Sequence, residues 1–99
     1  MNVLYIISKS PLETREPFIG ISLAEKGDTV VFVGDGAIVK QTAPWEFRRI
    51  MEEKEKEGVK MLFLKEDLDS LSIDYNEDEV IDRLSFFELM QSFSEVMQF

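Results

Sequence analysis

NVLYIISKSP, residues 2–11, decides the fold of this chain. The apolar run from Val3 to Ile7 stops abruptly at Ser8-Lys9-Ser10-Pro11. Alternate side chains of a strand point to opposite sides of a sheet. An unbroken apolar run bounded by a turn signal therefore marks a strand covered on both faces. Residues 2–7 predict such a strand, and Ser8–Pro11 its turn into a helix. Strands of this kind belong to parallel sheets, whose crossover helices cover each side.

The rest of the chain repeats the alternation. Thr14-Arg15-Glu16-Pro17 predicts a helix start with Thr14 as N-cap and Pro17 in the first turn, where its missing N–H costs little. Gly27 predicts its end. The apolar residues here fall into two groups, Leu12/Ile19/Leu23 and Phe18/Ile21/Ala24, which offers more than one face for burial. Val30–Val33 predicts a second strand, ended by Gly34-Asp35-Gly36, with one or two helical turns over Ala37–Gln41. Pro44 at N1 opens a helix over Trp45–Glu57 with the stripe Phe47, Ile50 and Met51. Its charged end, Glu52–Glu57, reads as a solvated helix end, with Glu52 and Lys56 a favourable i,i+4 pair. Gly58 stops it.

Lys60–Leu64 predicts a third strand, Glu66–Leu71 a short helix and Ser72–Asp78 a polar loop. Glu79–Asp82 predicts a fourth strand. A helix capped by Ser85 then runs to Phe93, and Glu95–Phe99 is a fifth strand or tail. The expectation is a single α/β domain over residues 1–99. It has three layers, α/β/α, around an open, mostly parallel sheet of about five strands.

Composition excludes several chemistries. The chain has no Cys and no His. Thiol chemistry, the usual neutral-pH general base and Cys/His zinc sites are therefore absent from its residues. Eleven basic against 20 acidic side chains give a net charge of −9, the wrong sign for a free-standing nucleic-acid binder. Met1–Ile7 is too short for a signal-peptide core and lacks a basic start and a cleavage site. No apolar run approaches a membrane span. We expect a cytoplasmic protein with no direct contact to nucleic acid or membrane, and no cofactor.

Ligand sites in open parallel sheets lie outside the carboxyl ends of the strands. Four loops qualify: Ser8–Pro11, Gly34–Ala37, Lys65–Asp67 and Asp82–Ser85. Ser8–Pro11 carries no Gly, so it matches neither a Walker loop nor a dinucleotide loop. Ser8, Lys9 and Ser10 read as a strand-to-helix turn rather than a nucleophile pair, because neighbouring residues point to opposite faces. Asp35 reads as the cap of the helix after strand 2, beside Gly36. Glu66 and Asp67 read as a helix N-terminus favoured by the dipole. They do not form a receiver site, since strand 1 ends in Ser8-Lys9 rather than acidic residues. The stretch from Leu84 to Phe99 is the richest in Phe and Met. Phe86, Met90 and Phe93 form one helical stripe, enough to meet a core. The surplus apolar residues point to an interface assembled from Phe86, Phe87, Met90, Phe93, Met97 and Phe99.

Taken in order, several segments resemble the TusB/DsrH family of sulfur-relay proteins. Ser8-Lys9-Ser10-Pro11 is similar to the family's strand-1 ending. Glu25-Lys26-Gly27-Asp28, the apolar strand after it and Asp35-Gly36-Ala37 resemble its "EGD…apolar…QDG[VI]" stretch, with Gly34 where Gln is usual. Leu64-Lys65-Glu66-Asp67-Leu68 resembles "A-L-x-E-D-L". Ile81-Asp82 with Phe86-Phe87-Glu88-Leu89 resembles "I-D-Y-x-x-F-V-x-L", with Arg83 in place of Tyr. Met97-Gln98-Phe99 stands where the family often ends in an aromatic, and the helix over Glu52–Glu57 is longer than expected.

The resemblance implies a DsrEFH-like α/β/α fold. It implies a role in passing persulfide sulfur between proteins, toward tRNA wobble-uridine 2-thiolation or in sulfur oxidation. The partners would be TusC/TusD- or DsrE/DsrF-like chains, with the tRNA-directed catalytic thiol on the TusD-like one. Some DsrH-type members carry a Cys in the first helix, where this chain has Gly20, so the implied role is that of a non-catalytic subunit. The aromatic-rich C-terminal helix would meet the partner and, in the chain alone, a second copy as a homo-oligomer, most simply a dimer. The rival expectation is a flavodoxin-like domain binding a small anion or ligand through the strand-1 loop and Lys9.

Overall fold

Residues 2–99 are described in a computed structural model of the chain. Val3–Ile7 forms β1, and every residue from Leu4 to Ile7 is buried. The chain then builds α1 (Glu16–Leu23), β2 (Thr29–Phe32), a 3-10 helix (Gly34–Lys40), α2 (Trp45–Lys56) and β3 (Lys60–Leu64). It continues through α3 (Lys65–Ser70), a 3-10 turn (Glu77–Glu79), β4 (Val80–Ile81), α4 (Arg83–Ser92) and β5 (Glu95–Gln98). All four strand pairs are parallel, in the order β4-β3-β2-β1-β5, with Tyr5 between Val30 and Met97. This is not the 2-1-3-4-5 order of flavodoxin-like sheets.

The order dictates the layers. From β1 to β4 the chain steps in one direction, and right-handed crossovers keep those connections on one face. The return from β4 to β5 reverses the step and puts α4 on the other. The side chains agree. Tyr5, Ile7, Val30, Phe32 and Phe63 meet Ile21 of α1, Ala24 just beyond it and Phe47 of α2. Their strand neighbours Leu4, Ile6, Val31, Leu62 and Leu64 meet Phe86 of α4. Phe47 is the joint of the first face, edge-on to Phe18 at 5.1 Å and to Phe32 at 6.3 Å. Asp28, buried at the amino end of the sheet, accepts the N–H groups of Val3 and Glu25 through its two carboxylate oxygens, each at 2.8 Å.

Local expectations fail mostly at caps. Arg15, not Thr14, is the N-cap residue of α1, and the Thr14 hydroxyl reaches only the Glu16 N–H at 3.5 Å. That helix ends at Leu23, and Gly27 closes the turn beyond it by donating to Gly58. Pro44 precedes α2 as its N-cap rather than occupying N1. Asp82, not Ser85, caps α4, accepting the Ser85 N–H at 2.8 Å. Asp35 lies inside the first turn of its 3-10 helix and makes no cap. The ion pairs along α2 are Arg49–Glu53 and Lys54–Glu57 rather than Glu52–Lys56. Lys54 is drawn out of the charged run because its ammonium donates to the Ala24 carbonyl, fastening α2 to the end of α1.

The aromatic C-terminal stretch is used mainly inside the molecule. Phe86 is only 7% exposed, and Leu89, Met90 and Phe93 pack against the same face. Phe86 is thus core and is withdrawn from the expected surface, because α4 alone covers the second face and needs its largest side chain there. Met97 and Phe99 pack on the first face, Phe99 stacked at 6.3 Å on Tyr5. Phe87 remains 49% exposed, with Leu84 one turn earlier at 71%.

Candidate functional site at the carboxyl ends of the strands

The sequence-predicted loops do converge at one end of the sheet, and their polar groups join neighbouring strands. Between β4 and β3, the Arg83 N–H donates to Glu66 Oε2 at 3.1 Å. Between β3 and β2, the Gly34 N–H donates to Asp67 Oδ2 at 2.6 Å. Between β2 and β1, the Val33 N–H donates to the Ile7 carbonyl at 2.9 Å. Between β1 and β5, the Ser8 N–H donates to the Phe99 carbonyl at 2.7 Å. The Ser8 hydroxyl donates to the same carbonyl at 3.2 Å and accepts the Gln98 side-chain amide.

Glu66 and Asp67 sit in the first turn of α3, where the dipole favours them. Each also satisfies a backbone N–H in the adjacent loop, a tie that dipole reasoning alone does not find. Gly36 is held against β1 so closely that a Cβ there would overlap the Ile7 carbonyl. Ser10 is buried and accepts the Leu12 N–H at 3.1 Å, which fixes the turn. Lys9 pairs at 2.7 Å with Glu16, both half exposed. No Ser–Lys pair forms among these residues, since the Lys9 ammonium is turned to a carboxylate and both hydroxyls to backbone.

Above β1 and β2 lies a shallow cavity of about 270 Å³, lined by Lys9, Ser10, Glu13, Thr14 and Asp35. A small anion entering it meets two carboxylates, while the one cation is already paired with Glu16. A second cavity of about 190 Å³ was not foreseen. It has an apolar floor of Met51, Met61 and Phe63, rimmed by Arg48, Glu55 and the Lys40–Glu79 ion pair. It lies over β3, between Arg48, Met51 and Glu55 of α2 and Lys40 of the 3-10 helix. Among the described residues, no group of three or more His, Cys, Asp or Glu side chains is placed to hold a metal, and no helix is long and apolar enough to cross a membrane.

Two carboxylates are held below their ordinary range. The Ser85 backbone and hydroxyl donate to Asp82, and the Asn76 N–H, with Lys40, does the same for Glu79. The Tyr75 hydroxyl, bonded to Asp69 at 2.8 Å, is pushed up to about 12. All three shifts come from hydrogen bonds that order loops. Compared with known proteins, the chain matches no family model and no curated sequence.

Proposed function

We propose that this chain is a non-catalytic, TusB/DsrH-like subunit of a cytoplasmic persulfide sulfur-relay complex. It would support tRNA wobble-uridine 2-thiolation or sulfur oxidation through contacts with TusC/TusD- or DsrE/DsrF-like proteins. One observation carries the reading. The family-like segments at Ser8–Pro11, Asp35-Gly36, Glu66-Asp67 and Asp82 all fall at the carboxyl ends of consecutive strands, where Ser8, Glu66 and Asp67 tie neighbouring strands together and Ser10 and Asp82 fix their own turn and helix start. They serve the scaffold, and the chain has no Cys to carry sulfur.

The surface offered to a partner is the outer face of α4, where Leu84 and Phe87 are exposed at i,i+3 spacing. Exposed apolar side chains so placed suit a protein contact. The small-anion reading has less support, given the strand order and the acidic lining beside Lys9. Co-expression with TusC- and TusD-like proteins from the same source tests the proposal. The wild-type chain is expected to co-purify with them in fixed stoichiometry, and Phe87→Asp to be lost from the complex while remaining folded. Failure of the wild-type chain to co-purify overturns it.

A further inference from the structure

The cavity over β3 joins two kinds of surface. Its floor is apolar: Phe63 is buried, and Met51 and Met61 are partly buried against the same core. Thioether side chains are unbranched and polarizable, so a floor with two of them refits to apolar groups of different shape. At about 190 Å³ the space is smaller than the roughly 300 Å³ at which pockets for drug-sized ligands begin, and it suits a smaller molecule.

The rim carries the cations Lys40 and Arg48 and the carboxylates Glu55 and Glu79. Lys40 and Glu79 are committed to each other at 3.4 Å, and Glu79 also accepts the Asn76 N–H at 3.0 Å. Arg48 and Glu55 differ. Among the described residues, neither forms an ion pair. Arg48, Met51 and Glu55 stand at i, i+3 and i+7 on one side of α2, and the helical rise separates Arg48 from Glu55 by about 10 Å along the axis. Two opposite charges thus face one cavity without pairing with each other.

We propose that this cavity binds a free α-amino acid with an apolar side chain. Its carboxylate meets Arg48, its ammonium meets Glu55, and its side chain rests on Met51, Met61 and Phe63. Charge selects this class of ligand. An α-amino acid carries both charges on one carbon. With a charge-assisted hydrogen bond of about 2.8 Å at either end, it bridges two groups that stand too far apart to bond each other. A simple carboxylate would leave Glu55 facing it unmatched, and a simple amine would do the same with Arg48. A zwitterion also adds no net charge to a rim whose two cations and two carboxylates already balance. The guanidinium of Arg48 offers the planar fork that a carboxylate accepts in bidentate form. The cavity lies on the sheet face opposite α4, so this inference does not depend on the proposed sulfur-relay role.

Titration of the full chain with L-leucine, followed by amide NMR, tests it. Saturable shifts are expected around Arg48, Met51, Glu55 and Met61, with half-saturation at millimolar concentration or below. Isocaproate is leucine without its ammonium, and isopentylamine is leucine without its carboxylate. Each should bind about tenfold more weakly, since each forfeits one charge-assisted bond. Arg48→Gln and Glu55→Gln replace exposed side chains, so both are expected to fold as wild type and to lose a similar factor for leucine. Glu55→Gln should also close the gap between leucine and isocaproate, which Arg48→Gln should not. No saturable binding of leucine, leucine affinity unchanged by either variant, or isocaproate held by the wild-type chain as tightly as leucine each overturns the proposal.

Discussion

The carboxylate of Asp67, on α3, accepts the backbone N–H of Gly34 at 2.6 Å and so holds the start of the 3-10 helix that follows β2. The 3-10 helix has no side-chain cap of its own, because Val33 occupies the cap position and Asp35 lies two residues further along. The cap is supplied from the next strand. Asp67→Ala is expected to destabilise the fold by roughly 1 kcal/mol, the usual net worth of such a bond. Asp67→Asn keeps an acceptor and should cost less. Urea unfolding of the three proteins gives both differences.

Gly36 and Gly20 both lack room for a side chain, but for different neighbours. A Cβ at Gly36 meets the Ile7 backbone, which cannot move without opening the β1–β2 ladder. A Cβ at Gly20 meets the Phe99 ring at 2.7 Å, and a ring can swing away. We expect Gly36→Ala to destabilise by about 3 kcal/mol and Gly20→Ala by about 1 kcal/mol. Thermal unfolding compares them directly, and equal losses would mean that the Phe99 ring is as fixed as backbone.

Asp82 caps α4, and the donors at Ser85 hold its carboxyl below the ordinary 3.8. A folded-state value below the unfolded one stabilises the fold at pH above the unfolded value, and that contribution is lost as pH falls through the folded value. Asp82→Ala should therefore lower the Tm at neutral pH, and the gap to wild type should narrow once the pH drops below about 4. Melting curves across that range check the sign. A gap that widens in acid would contradict it.

Without a thiol, the chain should gain no sulfane sulfur when incubated with a cysteine desulfurase and cysteine. Intact-mass spectrometry reads this directly. In a mixture with a TusD-like partner, the added mass should appear on the partner alone.

The elements were legible wherever burial was two-sided. The runs at 2–7, Val30–Val33 and Lys60–Leu64 were expected as covered strands; the third appears as expected, the first as Val3–Ile7, and the second is shifted by one residue to Thr29–Phe32. Caps were less legible. A Thr, Ser or Asp near a helix start names several candidates within two residues, and the choice depends on where the preceding strand releases the chain. Helix edges shifted for the same reason, as at Leu23 and Pro44.

By itself the sequence determined the class of fold and the chemistry closed to the chain, because apolar runs, turn residues and missing Cys and His are local properties. Only the tertiary structure decided which groups belong together. Glu66 meets Arg83, Asp67 meets Gly34 and Phe99 meets Gly20 across sequence distances that no local pattern encodes. It also divided the aromatic stretch, turning Phe86 into the core and leaving Phe87 outside. One helix has to cover a whole sheet face, and the direction of its crossover sets which of its sides does so.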